Sequence, residues 1–236
     1  MRCRSPLRWH NPQGEIQPPL EIIPILERSG LIIDVGEDLI YRACKQLRQW
    51  QDNNIFLYFA LNISARQLLN SHIVETVQNA ITESGCDPNY LELEITESVL
   101  MSDVKNALDK LIKLEAIGVK IAIDDFGTGY SSLAYLNRFP IHILKVDREF
   151  VKDLPWSNDN ITITRSIIEL AHNLNMRVVA EGVENEGQAD FLASVGVEEF
   201  QGYYFGRPMS VPEFDAMYGF SLTKRPTPYP DEIATH

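Results

Sequence analysis

Short apolar runs rich in β-branched and aromatic residues recur along the chain, separated by stretches of helical period, and this alternation constrains the fold most. Strands are expected at 57–63, 90–95, 119–124, 142–146, 177–180 and 197–201, with a short further candidate at 7–9. Between them, Ser71 is placed to cap a helix whose Ile73, Val77 and Ile81 share one face, ended by Gly85. Asp103 is placed to cap a second helix with the stripe Val104, Leu108, Leu111 and Ile112, stopped at Gly118. Ile163, Ile167, Leu170 and Leu174 mark a third. Strand and helix in repeated alternation means parallel βα units.

The polar residues choose between the two common parallel folds. Each apolar run ends in an isolated polar side chain: Asn62, Glu94, Asp124 with Asp125, Lys145, Glu181 and Gln201. A doubly wound sheet places functional groups only beside its switch point. A barrel brings all strand ends to one face, where its active site lies. The expected fold is therefore an α/β, TIM-like (β/α)8 barrel. Only seven strand candidates are found, and Pro6 fits poorly in a central strand because it has no N–H for the ladder. The first strand is thus expected to be missing. The barrel domain is assigned to 1–220, truncated at its N terminus, and the proline-bearing 221–236 to a disordered tail.

Composition narrows the function. With 236 residues the chain is long enough to bury a sizeable core. Its 21 Lys+Arg against 33 Asp+Glu give 21 − 33 = −12, which argues against duplex nucleic acid as a partner. A small phosphorylated ligand held through cations stays compatible with that charge. Cys3, Cys44 and Cys86 are odd in number and widely spaced, which disfavours a disulfide framework or a zinc finger. No apolar run is long enough to span a membrane, and MRCRSPLRWH lacks the apolar stretch of a secretory signal. Cytoplasm is the expected compartment.

Four carboxylates (Glu94, Asp124, Asp125, Glu181), two amides (Asn62, Gln201) and Lys145 thus fall at strand ends. Hard oxygen donors without paired Cys or His point to Mg²⁺ or Mn²⁺. Asp124 and Asp125 side by side would repel without a cation, which suggests Asp124 bridging two metals and Asp125 holding the second. Two metals are a usual solution for attack of water on a phosphodiester. The alternative is that Asp124–Asp125 simply opens a turn before Gly127 and Gly129. Arg8 and Arg207 each read equally as phosphate ligands or as solvated surface arginines.

Taken together, LNISARQL (61–68), LELEITES (91–98), IDDFGTGYSSL (123–133), LKVDREFV (144–151), VVAEGVE (178–184) and QGYYFGRP (201–208) resemble the EAL-domain family of cyclic di-GMP phosphodiesterases, in order and spacing. The resemblance implies hydrolysis of cyclic di-GMP to linear pGpG with Mg²⁺ or Mn²⁺. It implies that Asn62, Glu94 and Asp124 hold a first metal, and that Asp124, Asp125 and Glu181 serve a second. Glu181 is the implied general base, and Lys145 positions the attacking water. Arg8, Asn62, Gln201, Tyr203 and Arg207 are implied on the ligand side, Gln201 through a water of the metal site. Glu97 would steady the DFGTGYSSL loop at 125–133, which also implies a homodimer through that region.

The chain departs from the family at its signature. Where Glu-Ala-Leu is expected, it carries Arg4-Ser5-Pro6, so Arg4 replaces a first-metal glutamate. Guanidinium offers a cation no lone pair and adds repulsion. Three readings follow: a phosphodiesterase impaired at its first metal, a non-catalytic module binding cyclic di-GMP or a protein, or a start at 1–6 that is not the native context. A fourth, an enolase-like Mg²⁺ barrel with Lys145 as base, leaves DFGTGYSSL and QGYYFGRP without a purpose.

Overall fold

The computed structural model describes residues 2–4, 9–10, 13, 15–127 and 136–218. Pro6, Leu7, Arg8, most of the 125–133 loop (128–133) and the 221–236 tail lie outside the described residues. Contacts divide the chain into two compact units, 1–93 with 116–119 and 209–236, and 94–115 with 120–208.

The strands are β1 (Arg2–Arg4), β2 (Trp9–His10), β3 (Ile16–Gln17), β4 (Tyr58–Asn62), β5 (Leu91–Thr96), β6 (Lys120–Phe126), β7 (Ile143–Val146), β8 (Arg177–Glu181) and β9 (Glu199–Gln201). Seven of them are hydrogen-bonded in the order β1-β4-β5-β6-β7-β8-β9, that is, in chain order. A doubly wound sheet would reverse direction somewhere in that order; this one does not. The six main strand expectations are met within a few residues.

The N-terminal strand is a correction. Of the expected strand at 7–9, Leu7 and Arg8 lie outside the described residues and only Trp9 is described. Instead β1 lies N-terminal of Pro6 and runs parallel to β4, with Arg4 in register with Ala60. Trp9 belongs to a separate antiparallel pair, β2 with β3. A ladder needs a donor at every second residue, and the sequence before Pro6 supplies it.

In the first unit, the helix Ile32–Asp52 buries Ile40, Ala43, Cys44, Leu47 and Trp50 along one stripe. Trp50 packs on Phe59 of β4 at 5.7 Å and on Phe214 at 5.6 Å between ring centroids. Its indole N–H donates to Asp215 Oδ1 at 2.7 Å, so the ring buries its body while its polar edge is satisfied. The helix Ile73–Ser84 ends at Gly85, whose φ of 67° suits a left-handed cap. Ser71 does not cap it: the helix starts after His72 with no side-chain cap, while the His72 N–H donates to Asn70 Oδ1 at 2.8 Å. That local asparagine turn takes the bend expected of Ser71.

In the second unit β6, β7, β8 and β9 pair in parallel. All four β7 residues are buried, as in a parallel sheet covered on both faces. Asp103 accepts the Asn106 N–H at 3.2 Å, in keeping with its expected capping role before the helix Val104–Ile117. The buried stripe there is turned, however. It comprises Ala107, Lys110, Leu111 and Leu114, and leaves Ile112 half exposed. The helix Asn158–Asn173 likewise buries Thr164, Ile167, Ile168 and Ala171 and exposes Ile163. Packing partners, not apolarity alone, decide which stripe faces inward. Among the described residues no helix is long and apolar enough to cross a membrane.

Candidate active site

β5, β6, β7 and β8 deliver Glu94, Asp124, Lys145 and Glu181 from the second unit, each from the C-terminal half of its strand. Lys145 is fully buried, and its Nζ lies 2.5 Å from Glu94 Oε1 and 3.1 Å from Asp124 Oδ1. The same ammonium contacts Glu181 Oε1. Glu94 and Asp124 are themselves almost fully buried. Such charges are tolerated only because they are paired, since isolated burial of an ion is prohibitive.

Asp125 joins them through a backbone irregularity. Ile123 is in register with Leu144 but Phe126 with Val146, so three steps on β6 face two on β7. This is a β-bulge, and within it Asp125 has φ 53°. Regular pleating would send consecutive side chains to opposite faces. Here carboxylate oxygens of Asp124, Asp125 and Glu181 all lie within 4.8 Å of one another. The turn alternative for Asp124–Asp125 therefore describes only part of the geometry: the bulge gathers the two carboxylates with a third. The Asp125 carboxyl is pushed up to about 6, first by burial and then by Asp124, Asp147 and Glu181.

Asp147 is a neighbour that the sequence reading missed. Its side chain hydrogen-bonds Asp125 and also caps the short helix Arg148–Val151 through the Glu149 N–H at 2.6 Å. An aspartate just past a strand end looks like an ordinary cap, which it also is. Gln188 is another. Buried, it gives its amide N–H groups to Val151 O (3.2 Å) and Lys152 O (3.0 Å), and its oxygen accepts the Glu184 N–H at 2.7 Å. It thereby anchors the backbone that follows Glu181.

Glu97 is buried, and its Oε2 accepts the Gly127 N–H at 3.3 Å, at the start of the DFGTGYSSL segment. Gln201 sits in register with Glu181 on the adjacent strand. Tyr203 is exposed, and the Arg207 guanidinium lies 5.2 Å from its ring centroid. Asn62 is exposed at the end of β4, in the first unit. Arg8 lies outside the described residues.

The donor set suits a hard divalent cation. Four carboxylates against one ammonium leave a formal 1 − 4 = −3, all on oxygen donors.

Consecutive strands with acidic groups and a lysine at their C-terminal ends define an α/β scaffold whose candidate site lies where barrel folds place theirs. More specifically, residues 5–208 match the EAL domain model, and the chain belongs to that family. It is 43% identical over 204 residues to the bifunctional diguanylate cyclase/cyclic di-GMP phosphodiesterase MucR of Pseudomonas aeruginosa, covering 86% of this chain and 30% of the relative. It is 37% identical over 212 residues to the cyclic di-GMP phosphodiesterase PdeR of Escherichia coli, covering 90% of this chain and 32% of the relative. The chain thus spans about a third of the length of these curated relatives. The solved PaMucR phosphodiesterase, in complex with c-di-GMP, superimposes with a TM-score of 0.86 at 42% identity, covering 89% of this chain and 86% of that one. The fold is accordingly the TIM-like one of EAL domains, with seven strands in its main sheet among the described residues.

Proposed function

We propose that this chain hydrolyses cyclic di-GMP to linear pGpG with Mg²⁺ or Mn²⁺. The observation that carries the reading is the convergence of Asp124, Asp125 and Glu181 oxygens within 4.8 Å beside the buried Lys145 ammonium. Asp124, Asp125 and Glu181 would hold the cation, with Glu94 and Asn62 as the further expected ligands. A cation there supplies charge neutralisation and Lewis acidity to the phosphodiester.

The protein's own groups do the rest. Glu181 is less buried than Glu94, with 13% of its side chain exposed against 0%, so its carboxylate can reach a water and accept its proton as general base. Lys145 donates hydrogen bonds that orient that water and offsets charge developing on phosphate oxygens. Gln201 is assigned to a water of the same site, a role supported by its register with Glu181. Tyr203 and Arg207 form a stacked cationic pair suited to a base or phosphate, and Arg8 is assigned to the phosphate. Glu97 accepts the Gly127 N–H and is assigned to steadying the DFGTGYSSL segment; a dimer through that segment is part of the same proposal.

A second reading, cyclic di-GMP binding without turnover, is favoured by Arg4. Arg4, which the resemblance sets at the signature's glutamate, has its backbone aligned with Ala60, two residues before Asn62 on β4. Loss of about 3–4 kcal/mol of metal-site stabilisation would slow turnover by roughly 10²–10³-fold. Incubation with cyclic di-GMP and Mn²⁺, following bound ligand and pGpG by chromatography, separates the readings. Metal-dependent pGpG abolished by Glu181→Ala supports the enzyme; retained ligand without product supports the receptor. Neither would refute both.

A further inference from the structure

Away from the carboxylate cluster, the first unit holds a cavity of about 380 Å³ lined from the helices Ile32–Asp52, Ala65–Leu69 and Ile73–Ser84. All of its lining residues belong to that unit. Ile33, Ile40 and Ile73 give it an apolar wall. Asp34, Glu37 and Glu75 add three exposed carboxylates. His72 Nδ1 stands 3.5 Å from Glu75 Oε2, whereas Asp34 and Glu37 have no ion-pair or hydrogen-bond partner among the described residues.

Gln67 is the group that points to a ligand. It lines the same cavity and is only 6% exposed. Its Oε1 accepts the Ser64 N–H at 3.0 Å, closing the capping box of the helix Ala65–Leu69. That bond fixes which end of the amide is oxygen, so Nε2 is turned away from Ser64. Nε2 lies against Gly36, where a Cβ would stand 1.8 Å from it. It has no hydrogen-bond partner among the described residues. A buried donor without an acceptor is unfavourable, and an oxygen brought by an occupant would relieve it. Thr76, also buried, adds a hydroxyl to the lining.

We propose that this cavity binds a small organic cation: a guanidinium or ammonium on an alkyl stem that also carries a carbonyl or hydroxyl oxygen. The cationic end pairs with Asp34 and Glu37, and with Glu75 beyond them. The stem lies on Ile33, Ile40 and Ile73, as the methylenes of long basic side chains lie on apolar surface. The oxygen accepts from Gln67 Nε2, which can only donate. A bare metal ion suits the site less well. Among the described residues, Asp124, Asp125 and Glu181 are the group whose oxygens all come within 4.8 Å of one another, and the carboxylates of this cavity are not gathered in that way. Three carboxylates also repel a phosphate ester, so the site is separate from the one assigned to cyclic di-GMP and does not rest on that assignment. The volume falls within the range of small-molecule sites.

The test is titration of the intact chain, carbon-13-labelled at its isoleucine methyls, with L-argininamide and with agmatine, which lacks the carbonyl. Mg²⁺ is present throughout to occupy the other carboxylate cluster. The expected result is saturable binding of argininamide that shifts the methyl signals of Ile33, Ile40 and Ile73, roughly 2–10-fold tighter than agmatine. Gln67→Glu keeps the capping acceptor and removes the donor, so it should erase the preference for argininamide. Asp34→Asn with Glu37→Gln, both at exposed positions, should weaken both cations by about 3–30-fold. No saturation up to about 10 mM, shifts confined to isoleucines of the second unit such as Ile123 and Ile143, equal affinity for the two cations, or unchanged affinity in the double variant would each overturn the proposal. The wild-type titrations and the double variant decide even if Gln67→Glu does not fold.

Discussion

Lys145→Met tests whether the ammonium holds the acidic cluster together. Lys145 is fully buried and contacts Glu94, Asp124 and Glu181, the first two themselves within a few per cent of full burial. Methionine keeps the volume but removes the charge, taking the formal balance of the cluster from −3 to −4 when Asp125 is counted. Removing one partner of a buried ionic group costs about 3–5 kcal/mol, because the others are left uncompensated. For a chain of this size that corresponds to a fall in Tm of roughly 6–20 °C. Thermal melts in EDTA measure it directly. Adding Mn²⁺ should raise the variant's Tm more than the wild type's, since a cation then supplies the missing positive charge. A variant that melts within about 2 °C of wild type in EDTA would refute the reasoning.

Three further predictions concern other residues. His142, whose Nδ1 accepts the Ile121 N–H at 3.2 Å, is held down to about 4 by burial and then by Lys120, and Glu115 at 3.8 Å is too exposed to offset them. Its folded value lies below its unfolded one, so the neutral ring stabilises the fold above pH 6.5 and that contribution is lost as pH falls through 4. Urea unfolding at several pH values should show up to about 3 kcal/mol of acid sensitivity that His142→Asn lacks. A Cβ at Gly202 would stand 2.0 Å from Val183 O, so Gly202→Ala should destabilise by about 1–3 kcal/mol and lower turnover; an unchanged urea midpoint would contradict this. Glu97→Ala releases the Gly127 N–H and should reduce turnover more than it reduces Tm, while Glu97→Gln, which keeps an acceptor, should recover part of the rate.

The strands were legible because buried parallel strands are written as compact apolar runs, as in ILKV of β7. The charged ends were legible for the same reason: Lys145 and Glu181 interrupt such runs. Helix phase was less readable. Ile112 and Ile163 match a helical period as well as their buried neighbours do, and only the packing surface selects between overlapping stripes. At the N terminus, Leu7 and Trp9 looked more strand-like than Arg2–Arg4, yet the ladder runs ahead of Pro6, where backbone donors are continuous. Asp147 and Gln188 escaped notice because each acts through a turn that brings distant chain together, which no local pattern records. The adjacency of Asp124 and Asp125 was visible; that a bulge turns it into a shared cluster was not.

That bulge sets a condition on anyone transplanting the acidic pair. A strand carrying Asp-Asp in regular pleat would offer one carboxylate to the cavity and lose the other to the opposite layer. The graft must import the extra residue and a left-handed aspartate at φ 53°. Replacing Asp125 by glycine would ease the backbone and discard the ligand, so strain and chemistry reside in one residue and have to be moved together.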